Sequence, residues 1–343
     1  MAVAAAPALS APVVTMKKIS TDFRSPIGID YYEPTKELIL SANYPTGTPH
    51  NLEIVAGDGT HTGYSSLSGL TDELKIATVR SGYTTGFAVG TVFTGNGLDG
   101  EIVKVDPGGG TVSNPWVTLP GTGHGLLRGS LYVDRTGIYG GDLLVVTTGG
   151  ELWRINSAGT PTKIDDVDVH LEGLVTVPDI KAKWGDIAGC IIAGAEEQAL
   201  MHSWCPTAAG GFVHKTRTLG AGIRIEDLDF IDGGNFFGVN FGTSQLVGAA
   251  AADFASMVGD ILVTQEFPST GTGLHHMFWD GTTLVTEELL FAAGSTSTGQ
   301  WEHVTFADAG VVEIPPVGTP IPGSLWLAGL GLVLLGLGRT QRG

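Results

Sequence analysis

The sequence predicts an all-β chain folded as a six-bladed β-propeller, with an apolar tail helix at its C-terminal end. Three observations carry this. Glycine is the commonest residue, at 52 of 343, and the hydrophobic content of 42% is enough for a sizeable core. Outside the tail no 3.6-residue apolar period runs for a helical length, so the chain divides into short strands and tight turns. A unit of short strand, turn, apolar strand, hairpin and third strand recurs in constant order. Six such units share about 290 residues, roughly 48 each, a length that suits a propeller blade of four short strands. A sandwich or a β-helix also uses short strands, but neither accounts for so long a unit.

The apolar second strands read "LILSANYP" from Leu38, "FAVGTVFTG" from Phe87, "LLVVTTGG" from Leu143, "CIIAGAEEQ" from Cys190, "NFFGVNFGT" from Asn235 and "ILVTQEFPS" from Ile261. Third strands follow them, most closing in a Gly-rich turn: "HNLEIVAGDG" (His50), "GEIVKVDPGGG" (Gly100), "GELWRINSAG" (Gly150), "ALMHSWCPTA" (Ala199), "SQLVGAAAA" (Ser244) and "GLHHMFWDGT" (Gly273). The last strand, "WEHVTFADAG", has no complete blade after it. Pairing with an early strand would close the ring and remove the exposed edges.

Four segments result. Residues 1–15 are small and apolar with an Ala-x-Ala-like stretch, and read either as the remnant of a signal peptide whose start lies upstream or as a flexible leader. Residues 16–313 form the propeller. Residues 314–322 are a Pro-rich extended linker, since proline fixes φ and removes amide donors. Residues 323–343 carry the Gly/Leu-rich run "GSLWLAGLGLVLLGLG" followed by Arg339 and Arg342, long enough for a thin or tilted membrane span with its basic end in the cytoplasm.

The formal charge is −17, which repels phosphate backbones and excludes nucleic acid as a partner. It suits divalent cations and neutral or cationic glycans, and it also suits plain solubility. Cys190 and Cys205 lie equally far from the tip of the fourth unit's hairpin, which sets them opposite each other: a disulfide in an oxidising compartment, or two buried thiols. No C-x-x-C spacing supports a metal role for them.

The chemistry lies in a repeated carboxylate. "HLEGLVTVPD", "RIEDLDFIDG" and "QWEHVTFADA" place Glu172, Glu226 and Glu302 at the start of an inner strand, and equivalent positions of different blades converge on one channel mouth. Three carboxylates so placed repel one another unless a cation sits between them or protons are taken up. Oxygen ligands favour Ca²⁺ or Mg²⁺, while His170 and His303 beside two of them would admit Zn²⁺ or Mn²⁺. The alternative is that each Glu caps backbone amides or pairs with Arg128. A second polar set, Glu196, Glu197 and Glu266 with Asn43 and Asn240, sits at the ends of second strands, where it supplies either ligand contacts or hairpin solvation.

Other motifs fail on inspection. Gly95, Gly97 and Gly100 match G-x-G-x-x-G, but the alternating "EIVKVD" that follows is a strand where a dinucleotide site needs a helix. Asp227, Asp229 and Asp232 miss the spacing of a calcium loop, and Asp232-Gly233 reads as a hairpin turn. His275 and His276 point to opposite faces of a strand. No G-x-S-x-G, H-E-x-x-H or Walker sequence is present.

The C-terminal end, "PIPGSLWLAGLGLVLLGLGRTQR", resembles the PEP-CTERM sorting signal of Gram-negative bacteria, with its Pro-x-Pro element, Leu/Gly-rich span and basic stop. The resemblance implies export, a transient inner-membrane anchor, processing by an exosortase-type enzyme and a surface or extracellular location, commonly in species that secrete exopolysaccharide. "LEG" at Leu171 is similar to the Glu-Gly-Pro element of gluconolactonase and regucalcin-like propellers, with Leu174 in place of the proline. That likeness implies a divalent metal at Glu172 more than it implies lactonase chemistry. The sequence thus points to an exported, cation-binding surface or matrix module for exopolysaccharide. Metal-dependent hydrolysis of a lactone or ester, and a structural role in a sheath or filament, are the rivals.

Overall fold

A computed structural model describes residues 11–45, 50–128, 130–296 and 299–308. The linker and the tail lie outside the described residues, as do residues 1–10. Among the described residues no helix is long and apolar enough to cross a membrane.

Six four-stranded antiparallel sheets form a six-bladed β-propeller. The innermost strands are Ile29–Tyr32, Ile76–Thr78, Ser130–Val133, Glu172–Thr176, Asp227–Phe230 and Val304–Ala307. They adjoin in that order around a central channel, and the last returns to the first. Blades one to four are each built from four consecutive strands, ending respectively at Gly63, Thr118, Asp166 and Arg217. Second strands such as Leu143–Val146, Ile191–Ala195 and Ile261–Thr264 are buried along their whole length because both faces pack on neighbouring blades, which is why they read as unbroken apolar runs. The outer strand Phe212–Arg217 is mostly exposed and correspondingly polar.

Blades five and six are interleaved. After its inner strand Asp227–Phe230, the chain leaves blade five and lays down Asn235–Asn240 and Gln245–Ala249 as the middle of blade six. A 3₁₀ segment, Ala251–Met257, then carries it back to complete blade five with Ile261–Thr264, Leu274–Trp279 and Leu284–Glu288. This corrects the order of the fifth and sixth units read from the sequence. Asp232-Gly233 is likewise not a hairpin turn within one sheet. It links two sheets, with Asp232 Oδ1 accepting the Gly234 N–H at 2.9 Å.

Closure also differs from expectation. Val304–Ala307 does not pair with an early strand; it is the inner strand of blade six, hydrogen-bonded to Asn235–Gly238. The early strand Lys17–Ser20 instead covers the outer edge of that sheet by pairing with Gln245–Ala249, so blade six is assembled from three distant segments. Just before it, Val13–Val14 pair in parallel with Leu290–Phe291. Trp301 fills the space behind blade six, fully buried, packed edge-on against Phe236 and donating to Thr272 O at 2.9 Å.

In blade four Ile191 pairs with Trp204, which puts Cys190 opposite Cys205, and the two are joined in a disulfide. The bond closes a loop of 15 residues, for which the chain-entropy model gives about 3 kcal/mol. Replacing both cysteines with alanine is expected to lower the unfolding free energy by about 2–3 kcal/mol in urea titrations under oxidising conditions. A midpoint equal to that of the parent would show that the bond contributes nothing.

Candidate functional site

Inner strands begin at one mouth of the channel and end at the other. The beginning mouth is acidic. Glu172, in blade four, is followed by Gly173 with φ +60°; there the register against blade four's second strand slips by one residue, so the Glu172 side chain is set at the channel rather than in the sheet. A Cβ at Gly173 would lie 3.1 Å from Asp227 Cα, so the close approach of blades four and five also requires glycine. Glu226 comes from blade five, immediately before its inner strand. Glu196 arrives from the turn between the second and third strands of blade four. One carboxylate oxygen from each of Glu172, Glu196 and Glu226 lies within 4.8 Å of the others.

The structure gives this mouth a cation of its own. Lys75, in blade two, is buried, with its ammonium 2.8 Å from Glu226 Oε1, 3.9 Å from Glu172 Oε2 and hydrogen-bonded to the Glu226 carbonyl oxygen. Burial alone would lower its pKa; Glu226 and Glu172 outweigh that and raise it. Lys75 stands three residues before Thr78, as Glu226 does before Asp229 and Glu302 before Thr305. It therefore occupies the carboxylate position of its blade, with the opposite charge.

Glu172 and Glu226 titrate together. Burial and then the Glu172 charge push Glu226 well above the usual carboxylate range. Burial would raise Glu172 as well, but a hydrogen bond from Glu226 and the Lys75 ammonium hold it at about 2. One proton is thus shared by the pair, whose remaining negative charge balances Lys75, the ammonium itself lying nearer Glu226. His170 Nε2 lies 2.8 Å from Glu172 Oε1.

Glu302 is not part of the tight cluster. It sits one step further round with Glu266 and Glu73, and Gln300 donates to Glu266 at 2.8 Å and to Glu302 at 3.3 Å. Burial, then Glu266 and Glu73, push Glu302 up to about 9; burial raises Glu266 to about 7 in spite of the Gln300 hydrogen bond. His303 is turned away, into the channel. Its Nδ1 accepts the Ile29 N–H at 3.0 Å, and burial drops its pKa to about 3, so it stays neutral. Arg128 pairs with Asp72 at 2.9 Å and Glu73 at 3.0 Å rather than with any of the three strand-start glutamates. Glu197 is exposed beside Glu196. Asn240 accepts from Thr243 N and Oγ1, and Asn43 donates to Glu53, so both serve their own turns.

Asp227 and Asp229 of "DLDFIDGG" line the channel and tie blades together, Asp227 to the next blade and Asp229 across the channel past blade four. Asp227 accepts the Val304 N–H of blade six at 3.0 Å, and Asp229 accepts from Arg135 of blade three at 2.9 Å. Asp30 does the same for blade two through the Thr78 N–H at 2.7 Å.

Whether the cluster suits a metal can be tested on its donors. All three are carboxylates, the set that hard divalent cations prefer. Glu196 Oε1 is buried without a hydrogen-bond partner among the described residues, so it has acceptor capacity to give. Glu172, Glu196 and Glu226 therefore fit a cation that displaces the shared proton and tolerates Lys75.

No family model matches the chain, and no curated protein matches it in sequence. Solved structures do. A protein classed as a gluconolactonase superposes with TM-score 0.53 at 13% identity over 84% of each chain. A gluconolactonase of Xanthomonas campestris gives TM-score 0.50 at 13% identity, over 84% of this chain and 88% of that one. A chain of the nidogen–laminin complex gives 0.51 at 10% identity, over 87% and 96%. At such identities the likeness establishes the propeller fold.

Proposed function

We propose that this propeller is an exported surface or matrix module that binds a divalent cation, Ca²⁺ foremost, at the acidic mouth of its channel. The observation that carries the reading is the convergence of Glu172, Glu196 and Glu226, with Glu196 Oε1 buried and without a hydrogen-bond partner among the described residues, the Arg224 guanidinium lying 3.8 Å away. Mg²⁺ is the close competitor. Mn²⁺ and Zn²⁺ are disfavoured, because His303 faces elsewhere and only His170 stands beside the cluster. Export is supported by the disulfide and by the resemblance of the tail to a PEP-CTERM signal. An exosortase-type enzyme as partner, an exopolysaccharide as target and a cell-surface or extracellular location follow from that resemblance.

Metal-dependent lactone hydrolysis is the second reading, favoured by the fold shared with gluconolactonases and by Glu266, whose pKa of about 7 suits a general base. A bound cation would supply Lewis acidity to the lactone carbonyl. Glu266 would take the proton of the attacking water, and Gln300 would orient Glu266.

Calorimetric titration of Ca²⁺ separates the outcomes. Because a cation must displace the proton shared by Glu172 and Glu226, its affinity is expected to rise up to about tenfold per pH unit on the acid side of neutrality. Glu196→Gln should weaken it at least tenfold. Heat signals absent at millimolar Ca²⁺ and pH 8 would sink the cation site. Turnover of simple lactones that is lost with EDTA would establish the hydrolase reading over the module.

A further inference from the structure

The opposite mouth is a built site of different character. Where the inner strands end, all six blades contribute to one cavity of about 660 Å³, a size typical of small-molecule sites. Its floor holds two arginines. Arg80 is hydrogen-bonded to Asp30, to Thr305 Oγ1 at 2.9 Å and to the Phe306 carbonyl at 3.1 Å. Arg135 pairs with Asp229, and its guanidinium lies 4.8 Å over the Tyr132 ring and 5.7 Å from that of Tyr83. Each positive charge is thus matched by a carboxylate beneath it.

Around the entrance stand Glu33, Asp179, Asp232 and Asp308, and no lysine lines the cavity. The net field at the mouth is negative, which repels phosphates, sulfates and uronates. A cation is poorly served too. The faces of Tyr31, Tyr83 and Tyr132 already carry the protein's own guanidinium groups, and two arginines lie directly below.

What the cavity offers instead is mixed hydrogen bonding beside an apolar wall. Arg80 Nε and Tyr132 Oη are buried without partners among the described residues. Arg135 keeps 22% of its side chain exposed as a donor, the rim carboxylates are acceptors, and Phe230, Ile138 and Pro178 supply carbon surface. A group of neighbouring hydroxyls, each both donor and acceptor, on a ring with C–H faces matches that set.

We propose that the mouth opposite the carboxylate cluster binds the end of a neutral glycan, seating a pyranose ring between the Arg135 guanidinium and the rim aspartates. The site is separate from the cation mouth and does not depend on it.

The test is titration of the full-length protein with cellobiose, maltose and chitobiose as neutral probes, glucuronate and glucose 6-phosphate as anionic ones, and choline as the cationic one. Saturation-transfer NMR and calorimetry supply the readouts. At least one neutral disaccharide is expected to bind, with the anionic probes and choline at least tenfold weaker. Asp232→Asn should cost that ligand about tenfold. Ile138→Trp, at a position 38% exposed and free to take a larger side chain, should block the mouth altogether. Glu196→Gln and EDTA should leave the affinity unchanged. Tighter binding of choline or of an anionic probe overturns the assignment, as does loss of sugar binding in EDTA. Failure of every neutral probe to bind the folded protein does so as well.

Discussion

Replacing Lys75 with methionine is expected to destabilise the protein by about 3–5 kcal/mol in the presence of EDTA. The ammonium is buried between Glu226 and Glu172, and methionine keeps most of its volume while removing its charge. The Glu172–Glu226 pair would then hold its negative charge in a buried site with the Lys75 counter-charge gone. It would either take up a proton near neutral pH or be held ionised at a cost, and both outcomes reduce stability at pH 7. Adding Glu172→Gln to Lys75→Met removes the orphaned charge and should recover most of the loss, a coupling that a double-mutant cycle reads directly. Ca²⁺ should stabilise Lys75→Met more than the parent, because the ion no longer has an ammonium to oppose. Thermal melts of the four proteins with EDTA and with Ca²⁺ make the measurement. A single mutant within 1 kcal/mol of the parent would show that Lys75 does not balance the site.

Stability of the metal-free protein should fall as pH rises from about 5 to 9, the reverse of what an ordinary surface carboxylate produces. The unfolded chain releases the Glu302 proton near the ordinary glutamate value of 4.5, whereas the folded protein holds it to about 9 because of burial and the nearby Glu266 and Glu73. Between those limits the native state binds more protons than the unfolded state, so the unfolding free energy declines with pH. Asp227, raised to about 7 by burial, and Glu266, also raised to about 7, add to the slope below neutrality. Glu172 acts oppositely: held at about 2, its contribution is present above 4.5 and lost as pH falls towards 2. His303 and His202, lowered by burial to about 3 and about 4, act in the same sense as Glu172 below pH 6.5. Glu302 alone accounts for at most about 1.4 kcal/mol per pH unit, an upper bound that water penetration will reduce. Glu302→Gln keeps the shape and the contact with Gln300 without an ionisable proton. It should match the parent near pH 5 and melt at a higher temperature than the parent at pH 9. A parent melting curve flat from pH 6 to 9 would contradict the raised pKa.

Much of this was legible in the chain. Strand-length apolar runs separated by glycine turns, at near-constant spacing, specify blades because such a strand can bury both faces only between two neighbouring sheets. Equal distances of Cys190 and Cys205 from a hairpin tip specify their apposition because antiparallel register is counted outwards from the turn. Glu172 and Glu226 were findable as a pair because inner strands share one axis.

Three features were not. Lys75 carries the charge opposite to that of the residues it aligns with, so a search for repeated carboxylates passes over it. Glu196 was a candidate only in company with exposed Glu197, and that it reaches the carboxylate cluster from its turn was not legible, because nothing local distinguishes the two. The interleaving of blades five and six leaves no mark either: Asn235–Ala249 is as good a hairpin for one sheet as for the other, and the short Ile231–Gly234 link reaches both.

By itself the sequence determined the propeller, its six-fold count and the acidic start of the inner strands, because alternation, turn chemistry and repeat length act locally. Only the tertiary structure decided which strand pairs with which at the closure, that the acidic mouth contains its own cation, and that the opposite mouth gathers two arginines and a carboxylate rim around one cavity. Those depend on side chains from distant segments meeting around one axis, where burial multiplies the effect of every charge.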